Sequence, residues 1–231
     1  MTDEERYKAV ADNIARILDE VGEEKAKYRS PDDTVRLMAV TKTVEPDVVN
    51  SAIRCGIDLL GENRVQEYLG KKDSYLKGAE VHFIGGLQLN KAKYIVGDVS
   101  MIHSVDSLRL GNEIDRLAKA RGIVQDVLVE VNIGEEATKH GISEEELPEL
   151  LAGLSELGGI RVRGLMTIPP PGTSEKNFER MQRLFCDNRS VYPAFDTLSM
   201  GMSADYRLAV RFGSTIIRVG SGIFGAREYK I

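Results

Sequence analysis

The 231-residue chain has no tryptophan, two cysteines, seven prolines and no long apolar run. Its cysteines, Cys55 and Cys186, are too few for a disulfide framework and do not form the C-x-x-C pair of a zinc or redox site. No apolar segment reaches the ~20 residues that a membrane span needs, and the first residues are acidic where a secretory leader would be basic. We therefore expect a cytoplasmic protein that has no disulfide, metal site or membrane segment.

Positive charge is scarcer than negative charge. The 31 Lys and Arg residues against 36 Asp and Glu residues give a formal net charge of −5, and the two signs are mixed along the chain. No stretch has the basic surface that binds phosphate backbones, so we expect no nucleic-acid partner. A hydrophobic fraction of 42% is typical of globular proteins, and a chain of this length can form a core without metals or disulfides.

The chain does contain a regular alternation of apolar runs and helical stretches. An amphipathic segment at 2–27, which Thr2 or Asp3 can cap, predicts a long first helix. The apolar runs then lie at 35–40, 57–60, 81–84, 101–104, 127–131, 163–166, 197–198 and 215–219. Helical stretches follow at 47–55, 65–69, 90–95, 107–121, 144–154, 175–189 and 204–212, and a glycine-rich turn follows the last run.

Short apolar runs that alternate with helices indicate parallel strands buried on both faces. Eight such units are the number at which a parallel sheet closes, so we predict a (β/α)8 TIM barrel with an additional N-terminal helix, as one domain over residues 1–231. The alternative is an open doubly wound sheet. That fold would need a glycine fingerprint after the first strand, where this chain has Thr41, Lys42, Thr43 and Val44.

Functional residues of a parallel barrel lie at the carboxyl ends of its strands, and Lys42 follows the first strand. Partial burial at the mouth of a barrel disfavours the charged form of a lysine, which frees its amine to attack a carbonyl and form a Schiff base. Taken alone, a lysine in this position is better explained as a solvated loop residue than as a nucleophile. The ends of the seventh and eighth strands supply the context.

Glycines and serines follow both of those strands, at 199–203 (SMGMS) and 220–225 (GSGIFG). Glycines allow backbone N–H groups to approach an anion, and the loops after strands seven and eight are the recurrent phosphate site of these barrels. Arg218 lies within the eighth strand and points away from Ile217 and Val219. Its buried guanidinium needs a partner, which is either a carboxylate such as Glu130 or Asp196, or a bound ligand.

A carbonyl-reactive lysine, a phosphate site and an arginine together suggest a ligand with an aldehyde and a phosphate, which pyridoxal 5′-phosphate (PLP) has. The chain also resembles the pyridoxal-phosphate homeostasis proteins (YggS/PROSC), whose fold is similar to the N-terminal domain of alanine racemase. The motifs that carry the resemblance lie at 37–43 (LMAVTKT), 61–67 (GENRVQE), 82–91 (HFIGGLQLNK), 102–106 (IHSVD), 131–132 with 136–141 (VN, EATKHG), 164–168 (GLMTI), 198–205 (LSMGMSAD), 218–221 (RVGS) and 223–225 (IFG).

The resemblance implies a role for each of seven residues. It implies that Lys42 forms the Schiff base, that Asn63 lies near the ring and that Arg218 faces the pyridine nitrogen. The remaining residues would hold the phosphate: Ser199, Gly201, Gly220 and Ser221. The chain departs from the family at Gly86, where histidine is frequent, and at Leu89, where serine is usual, so any role of this loop is not carried over.

A cation beside the pyridine nitrogen opposes its protonation, which makes the ring a poor electron sink. Alanine racemase has this arginine but takes a tyrosine base from a second domain, which we expect to be absent from a chain that ends at Ile231. Of the eight tyrosines, none, Tyr206 and Tyr229 included, lies in a motif that marks a base. We therefore expect a monomeric cytoplasmic PLP carrier with no catalytic residues, which passes PLP to PLP-dependent apoenzymes.

Two other classes of function stay open. The chain could be an enzyme, either a PLP-dependent amino-acid racemase or a cofactor-free Schiff-base aldolase, for which Glu62 is the one acid or base next to a strand end. It could also be an interaction protein that uses its first helix. That helix has a single apolar stripe, which we expect to pack against the barrel.

Overall fold

The computed structural model describes residues 2–136 and 140–225 of the chain. Within these residues eight parallel strands close into one barrel, in sequence order. They are β1 (Arg36–Val40), β2 (Leu59–Glu62), β3 (Glu80–Phe83), β4 (Met101–Val105), β5 (Gln125–Glu130), β6 (Ile160–Met166), β7 (Thr197–Ser199) and β8 (Ile216–Val219). The closed barrel confirms the predicted (β/α)8 fold and excludes the open sheet.

Helices surround the barrel in the described part of the chain. They are α1 (Asp3–Tyr28), α2 (Pro46–Arg54), α3 (Val65–Lys71), α4 (Leu89–Ala92), α5 (Leu108–Ala120), α6 (Leu147–Ser155), α7 (Ser174–Arg189), α8 (Tyr206–Arg211) and α9 (Ser221–Phe224), with a short 3-10 helix at Lys72–Ser74. None of these helices combines the length and the apolar character that a membrane span requires.

Several predicted boundaries differ from the structure, among them those of four elements. β2 starts two residues later and continues to Glu62, and β6 starts three residues earlier, at Ile160. α6 begins at Leu147 and not at Glu144, because Pro148 is favoured in the first turn of a helix. The short glycine-rich turn predicted after β8 takes the form of one helical turn, Ser221–Phe224.

Side chains of the strands form two layers. One face of each strand packs against the helices, where Ile217 and Val219 contact the apolar residues of α1 and α2. The other face fills the barrel interior with two small apolar clusters, of which one consists of Met101, Leu128 and Met166. Most of the remaining interior positions toward β7 and β8 are polar, which is unusual for a barrel core and marks the region of the functional site.

The apolar stripe of α1 is covered by the barrel, as predicted. Val10, Ile14, Ile17 and Val21 are buried and pack in one cluster with residues of α2, α8 and α9. Thr2 caps the helix in a capping box with Glu5. The stripe is therefore not available to a protein partner.

Glu24 joins the end of α1 to α8. Its side chain is 1% exposed and accepts hydrogen bonds from Arg211 at 2.6 Å and from Arg207 at 2.9 Å. The Arg211 bond, against the cost of burial and with help from Arg207, lowers the pKa of the carboxyl from 4.5 to about 2. Because the folded-state pKa is depressed, this stabilisation is complete above pH 4.5 and is lost as the pH falls toward 2.

Glu24→Gln is expected to lower the urea midpoint of unfolding at pH 7, and the difference from wild type is expected to shrink between pH 4.5 and pH 2. Urea titrations at several pH values measure both effects. Glu23→Gln is the matched control, because the Glu23 side chain is 61% exposed and lies 3.9 Å from Arg207. A difference that does not change with pH would contradict the assignment.

Candidate functional site

Lys42 lies in a tight turn directly after β1. The turn is closed by a hydrogen bond from the Val44 N–H to the Thr41 carbonyl at 3.0 Å, and Lys42 is half-buried. Val40 is paired with Gly61 of β2, and a Cβ on Gly220 would lie 3.5 Å from Val40. The barrel thus brings the predicted residues Lys42, Asn63 and Gly220 to one rim, at the carboxyl ends of three adjacent strands.

The backbone of the Lys42 turn is strained and is held in place from α3. Thr43 has φ = 63°, a left-handed conformation that a β-branched residue rarely adopts. Its N–H donates to Oε1 of Glu67 at 2.5 Å, and Lys71 donates both to that carboxylate and to the Thr41 carbonyl. Such strain persists only where the surroundings impose it, so Glu67 and Lys71 hold the turn that presents Lys42.

Glu67→Ala is expected to lower the free energy of unfolding by about 1–2 kcal/mol, because it removes a charge-assisted hydrogen bond to a strained turn. The local effect is expected at Thr43, whose amide proton should exchange with solvent faster than in wild type. Hydrogen exchange measured by NMR tests this. Gln66→Ala, at the neighbouring exposed residue, is the control. Equal protection of the Thr43 amide from hydrogen exchange in both variants would count against the role of Glu67.

Asn63 lies in the loop after β2, pressed against the loop after β3. A Cβ on Gly85 would lie 2.0 Å from the backbone oxygen of Asn63, so the two loops meet this closely only because residue 85 is glycine. The Oδ1 atom of Asn63 is buried and has no hydrogen-bond partner among the described residues. A buried amide oxygen of this kind is suited to a ligand that supplies a donor.

Glu62 faces away from the barrel interior. Its neighbour Gly61 faces inward, where a Cβ would meet Met38, and successive strand residues point to opposite faces. The Glu62 carboxylate is fully buried and accepts hydrogen bonds from Thr41 Oγ1 at 2.6 Å and from Tyr75 OH at 2.5 Å. Burial raises its pKa. This placement does not suit the acid or base that an aldolase would need beside Lys42.

Arg218 points away from Ile217 and Val219, as the strand alternation predicts, and the structure places it in the barrel interior, where it is 3% exposed. Its Nη1 donates to Ser199 Oγ at 2.8 Å and its Nη2 to the Thr167 carbonyl at 2.9 Å. The expected pairing of Arg218 with Asp196 is wrong, because Asp196 pairs with Arg163 at the opposite end of the barrel. Burial lowers the pKa of Arg218 to about 10, and the nearby charge of Glu130 opposes this.

Glu130 is the other expected partner, and it acts on Arg218 through charge without a hydrogen bond among the described residues. It ends β5 on the inward face, two residues after Leu128, and is 8% exposed. Burial raises the pKa of its carboxyl to about 7; His140 and Arg218 lower it, whereas Asp106 raises it further. A carboxyl that titrates near neutrality at the barrel mouth can exchange protons, a role that counting inward positions along β5 could have suggested.

One of the four residues predicted for the phosphate, Gly220, meets Ser203, to which the sequence prediction gave no role. The N–H groups of Gly220 and Gly222 donate to Ser203 Oγ at 3.3 and 3.1 Å. Of the predicted residues, Gly220 belongs to this group and Ser221 is exposed at the start of α9. Ser199 lies in the interior with Arg218. The phosphate contacts themselves stay predictions.

Gly201 is the last of the residues predicted for the phosphate. It is buried with φ = +90°, and its carbonyl accepts the Arg218 N–H at 2.9 Å. It therefore ties the loop after β7 to the strand that carries the arginine.

Two further predicted features have definite places. A Cβ on Gly86 would lie 3.1 Å from Nε2 of His140, so the imidazole ring occupies the space of a larger residue, while Leu89 begins α4. The Tyr206 hydroxyl donates a hydrogen bond to the Glu20 carboxylate of α1, in the outer layer. Tyr229 and residues 137–139 of the motif at 136–141 lie outside the described residues.

Comparison with known proteins identifies the family to which this chain belongs. The family model of the alanine racemase N-terminal domain matches residues 8–228. A relative from Aquifex aeolicus named pyridoxal phosphate homeostasis protein is 41% identical over 225 residues, which cover 94% of this chain and 98% of the relative. The chain belongs to the pyridoxal phosphate homeostasis family.

Solved structures agree with this assignment. The homeostasis-family chain is similar to PipY of Synechococcus elongatus PCC7942, solved with PLP bound, at a TM-score of 0.81 and 32% identity, covering 94% of this chain and 100% of PipY. It is also similar to alanine racemase of Corynebacterium glutamicum, at a TM-score of 0.73 and 14% identity, covering 97% of this chain and 62% of the racemase. The racemase likeness shows the fold alone.

Proposed function

We propose that this chain holds PLP through a covalent bond to Lys42 and releases it, as an intracellular PLP homeostasis protein without dedicated turnover. The observation that carries the proposal is the arrangement at one end of the barrel. The strained turn that contains Lys42 follows β1, and the Gly220 backbone of the adjacent strand lies beside Val40 at the end of β1. The N–H groups of Gly220 and Gly222 are directed to Ser203 Oγ, and Arg218, two residues before Gly220, is buried in the barrel interior. The names of the relatives and the PLP-bound state of PipY support the same cofactor.

The residues at this rim fit PLP. Backbone donors that now converge on the neutral Ser203 hydroxyl suit a phosphate, for which we also assign Gly201 and Ser221. The buried Asn63 Oδ1 lacks a donor that a ring substituent can supply. Arg218 uses two of its five N–H groups inside the protein, which leaves others for the pyridine nitrogen. We assign the Ser199 hydroxyl to the support of Arg218.

Bound PLP would supply an electrophilic aldehyde and, where its ring is protonated, an electron sink. The Lys42 amine would bind the aldehyde carbon, and the turn held by Glu67 and Lys71 would keep that amine in place. Arg218 stays protonated at physiological pH and disfavours a proton on the pyridine nitrogen. These residues hold the cofactor more readily than they activate it.

A racemase-like activity on an amino acid is the second candidate, and Glu130 is the observation that favours it. Its carboxyl, with a pKa of about 7, can take and return a proton at the mouth of the barrel. Exchange of the α-hydrogen of amino acids in deuterated water, measured for wild type and Glu130→Gln, decides between the candidates. Rapid exchange in wild type that is lost in Glu130→Gln would mean that the protein is an enzyme and not a carrier.

The test of the proposed function is the absorption spectrum and borohydride labelling of the purified protein with PLP. Wild type is expected to show a visible band, and reduction is expected to attach a pyridoxyl group to the peptide that contains Lys42. Lys42→Ala should lose both, and so should Lys42→Arg, which keeps the charge but has no primary amine. Lys72→Ala, in an exposed ion pair with Asp98, is the control that keeps both. A wild type that is not labelled at Lys42 would end the proposal.

We further propose that PLP-dependent apoenzymes accept the cofactor from a monomeric chain in the cytoplasm. The loaded protein is expected to reactivate an apoenzyme faster than the same concentration of free PLP, and Lys42→Ala mixed with PLP is expected to match free PLP. Sedimentation of the loaded protein checks the monomer. Equal reactivation by all three preparations would contradict direct transfer.

A further inference from the structure

A line of polar side chains, hydrogen-bonded from Arg218 as far as His82, runs through the barrel to its opposite end. Arg218 donates to Ser199 Oγ at 2.8 Å, which lies 3.1 Å from Nδ1 of His103, and Nε2 of His103 lies 2.9 Å from Nδ1 of His82. Nε2 of His82 lies 3.6 Å from Glu80 Oε2, at a cavity of about 440 Å³ below the barrel. We call these five residues the axial network.

Hydrogen-bond chemistry gives the axial network one direction. An arginine can only donate, so Ser199 accepts from Arg218. Among the described residues the Ser199 hydroxyl has one other polar contact, Nδ1 of His103, and a buried O–H without an acceptor is costly. His103 therefore accepts at Nδ1 and carries its proton on Nε2, which donates to His82.

The lower end imposes the same direction. If His103 donates to Nδ1 of His82, the proton of His82 is on Nε2, toward Glu80. Glu80 is an acceptor there, because its Oε2 takes a hydrogen bond from Arg36 at 2.9 Å. A donor at the top and an acceptor at the bottom thus select one tautomer for both rings.

Both rings of the axial network are neutral at physiological pH. Burial lowers the pKa of His82 to about 4 and that of His103 well below its usual value of 6.5. Glu80 and Asp126 favour the charged form of His82 and Arg36 disfavours it, whereas His82 and Arg218 both disfavour a charge on His103. The network is therefore a fixed alignment of dipoles and does not change its charge near neutrality.

We propose that His103, supported by His82, is a positioning residue that orients the Ser199 hydroxyl and thereby fixes the Arg218 guanidinium against the pyridine nitrogen of PLP. The proposal rests on the proposed function for its ligand. Within the described residues the guanidinium has two hydrogen bonds, to Ser199 and to the Thr167 carbonyl. Loss of the Ser199 bond leaves one, about which the planar group can turn.

The first test observes the tautomers in the protein without PLP. The chain has three histidines, so nitrogen-15 NMR of histidine-labelled protein resolves each ring, and His140→Gln assigns the third. Wild type is expected to carry the proton on Nε2 in both His82 and His103 at neutral pH. In Ser199→Ala, both tautomers of His103 are expected to be populated, and the signals of His82 are expected to shift with them.

Ser214→Ala is the matched control for this test. Ser214 is also fully buried, but its hydroxyl donates to a backbone carbonyl, that of Met200 at 2.8 Å, and among the described residues it has no hydrogen bond to a member of the axial network. Its variant is expected to leave the signals of His82 and His103 unchanged. A charged ring, a proton on Nδ1 in wild type, or rings that do not respond to Ser199→Ala would each overturn the proposal.

The second test observes the loaded protein. Ser199→Ala is expected to bind PLP about tenfold more weakly, the effect of one misplaced charge-assisted hydrogen bond, while borohydride still labels Lys42. Ser199→Thr, which keeps the hydroxyl, is expected to restore both the affinity and the histidine tautomers. Affinity and tautomers that are unchanged in Ser199→Ala, in a protein whose Lys42 is labelled, would overturn the positioning role alone. A wild type without labelling would instead overturn the proposed function.

Discussion

Gly201→Ala is expected to lower the free energy of unfolding by roughly 2–5 kcal/mol and to weaken PLP binding. Gly201 has φ = +90°, which costs an L-residue ~1–2 kcal/mol. A Cβ there would lie 2.4 Å from the Cβ of Ala209 and 3.1 Å from the Cα of Tyr206, and overpacking of this kind costs about 1–3 kcal/mol. The carbonyl of Gly201 accepts the Arg218 N–H, so a shift of this loop also displaces the arginine.

Gly172→Ala is the control that isolates the backbone term. Gly172 has φ = +78° but no atom within 4 Å of an added Cβ. Its variant is expected to lose only the ~1–2 kcal/mol of the left-handed conformation and to bind PLP as wild type does. Urea unfolding and PLP titration compare the two variants, and equal losses would show that packing at Gly201 plays no part.

Arg218→Glu is expected to change the protonation of the pyridine nitrogen of bound PLP. A cation that disfavours a proton on the pyridine nitrogen is replaced by an anion that favours it, which raises the pKa of that nitrogen by roughly two units or more. The absorption spectrum of the loaded variant should therefore depend on pH in a different range from that of wild type. Stronger electron withdrawal by a protonated ring is expected to increase exchange of the α-hydrogen of bound amino acids.

The same substitution also acts on Glu130 before PLP is added. Arg218 lowers the pKa of the Glu130 carboxyl, which is about 7, so a carboxylate in its place should raise that pKa further. Carbon-13 NMR of the carboxyl measures this change. Arg218→Lys keeps the cation and is the matched control. Spectra of Arg218→Glu that superimpose on those of wild type would mean that the arginine does not meet the ring.

Some parts of the site could be predicted because they depend on short-range rules. Lys42 follows an apolar strand, and the alternation of Ile217, Arg218 and Val219 places the arginine on the face opposite to its two neighbours. The hydrogen-bond partners of Arg218 could not be predicted in this way. Asp196 was expected among them, but it lies at the start of β7, at the far end of the barrel from the mouth.

Residues that act through others were the ones missed. Glu67 holds the Lys42 turn through the backbone of Thr43, and Ser203 collects two backbone N–H groups from the next strand unit. Neither residue type marks such a role, because glutamate and serine are frequent on any surface. Their roles depend on which backbone groups are left without partners where two loops meet, and a sequence does not show this.

By itself the sequence determined the number and order of the strand and helix units and the closed barrel, because these depend on local periodicity repeated eight times. It also determined the capped first helix, whose apolar spacing and N-terminal Thr2 are local features. Only the tertiary structure decided what meets inside the barrel. His82, His103, Ser199 and Arg218 come from four different strands, and their contacts depend on the register between those strands. The physical reason is that a hydrogen bond needs a donor and an acceptor at about 3 Å, and only closure of the sheet brings such distant residues to that distance.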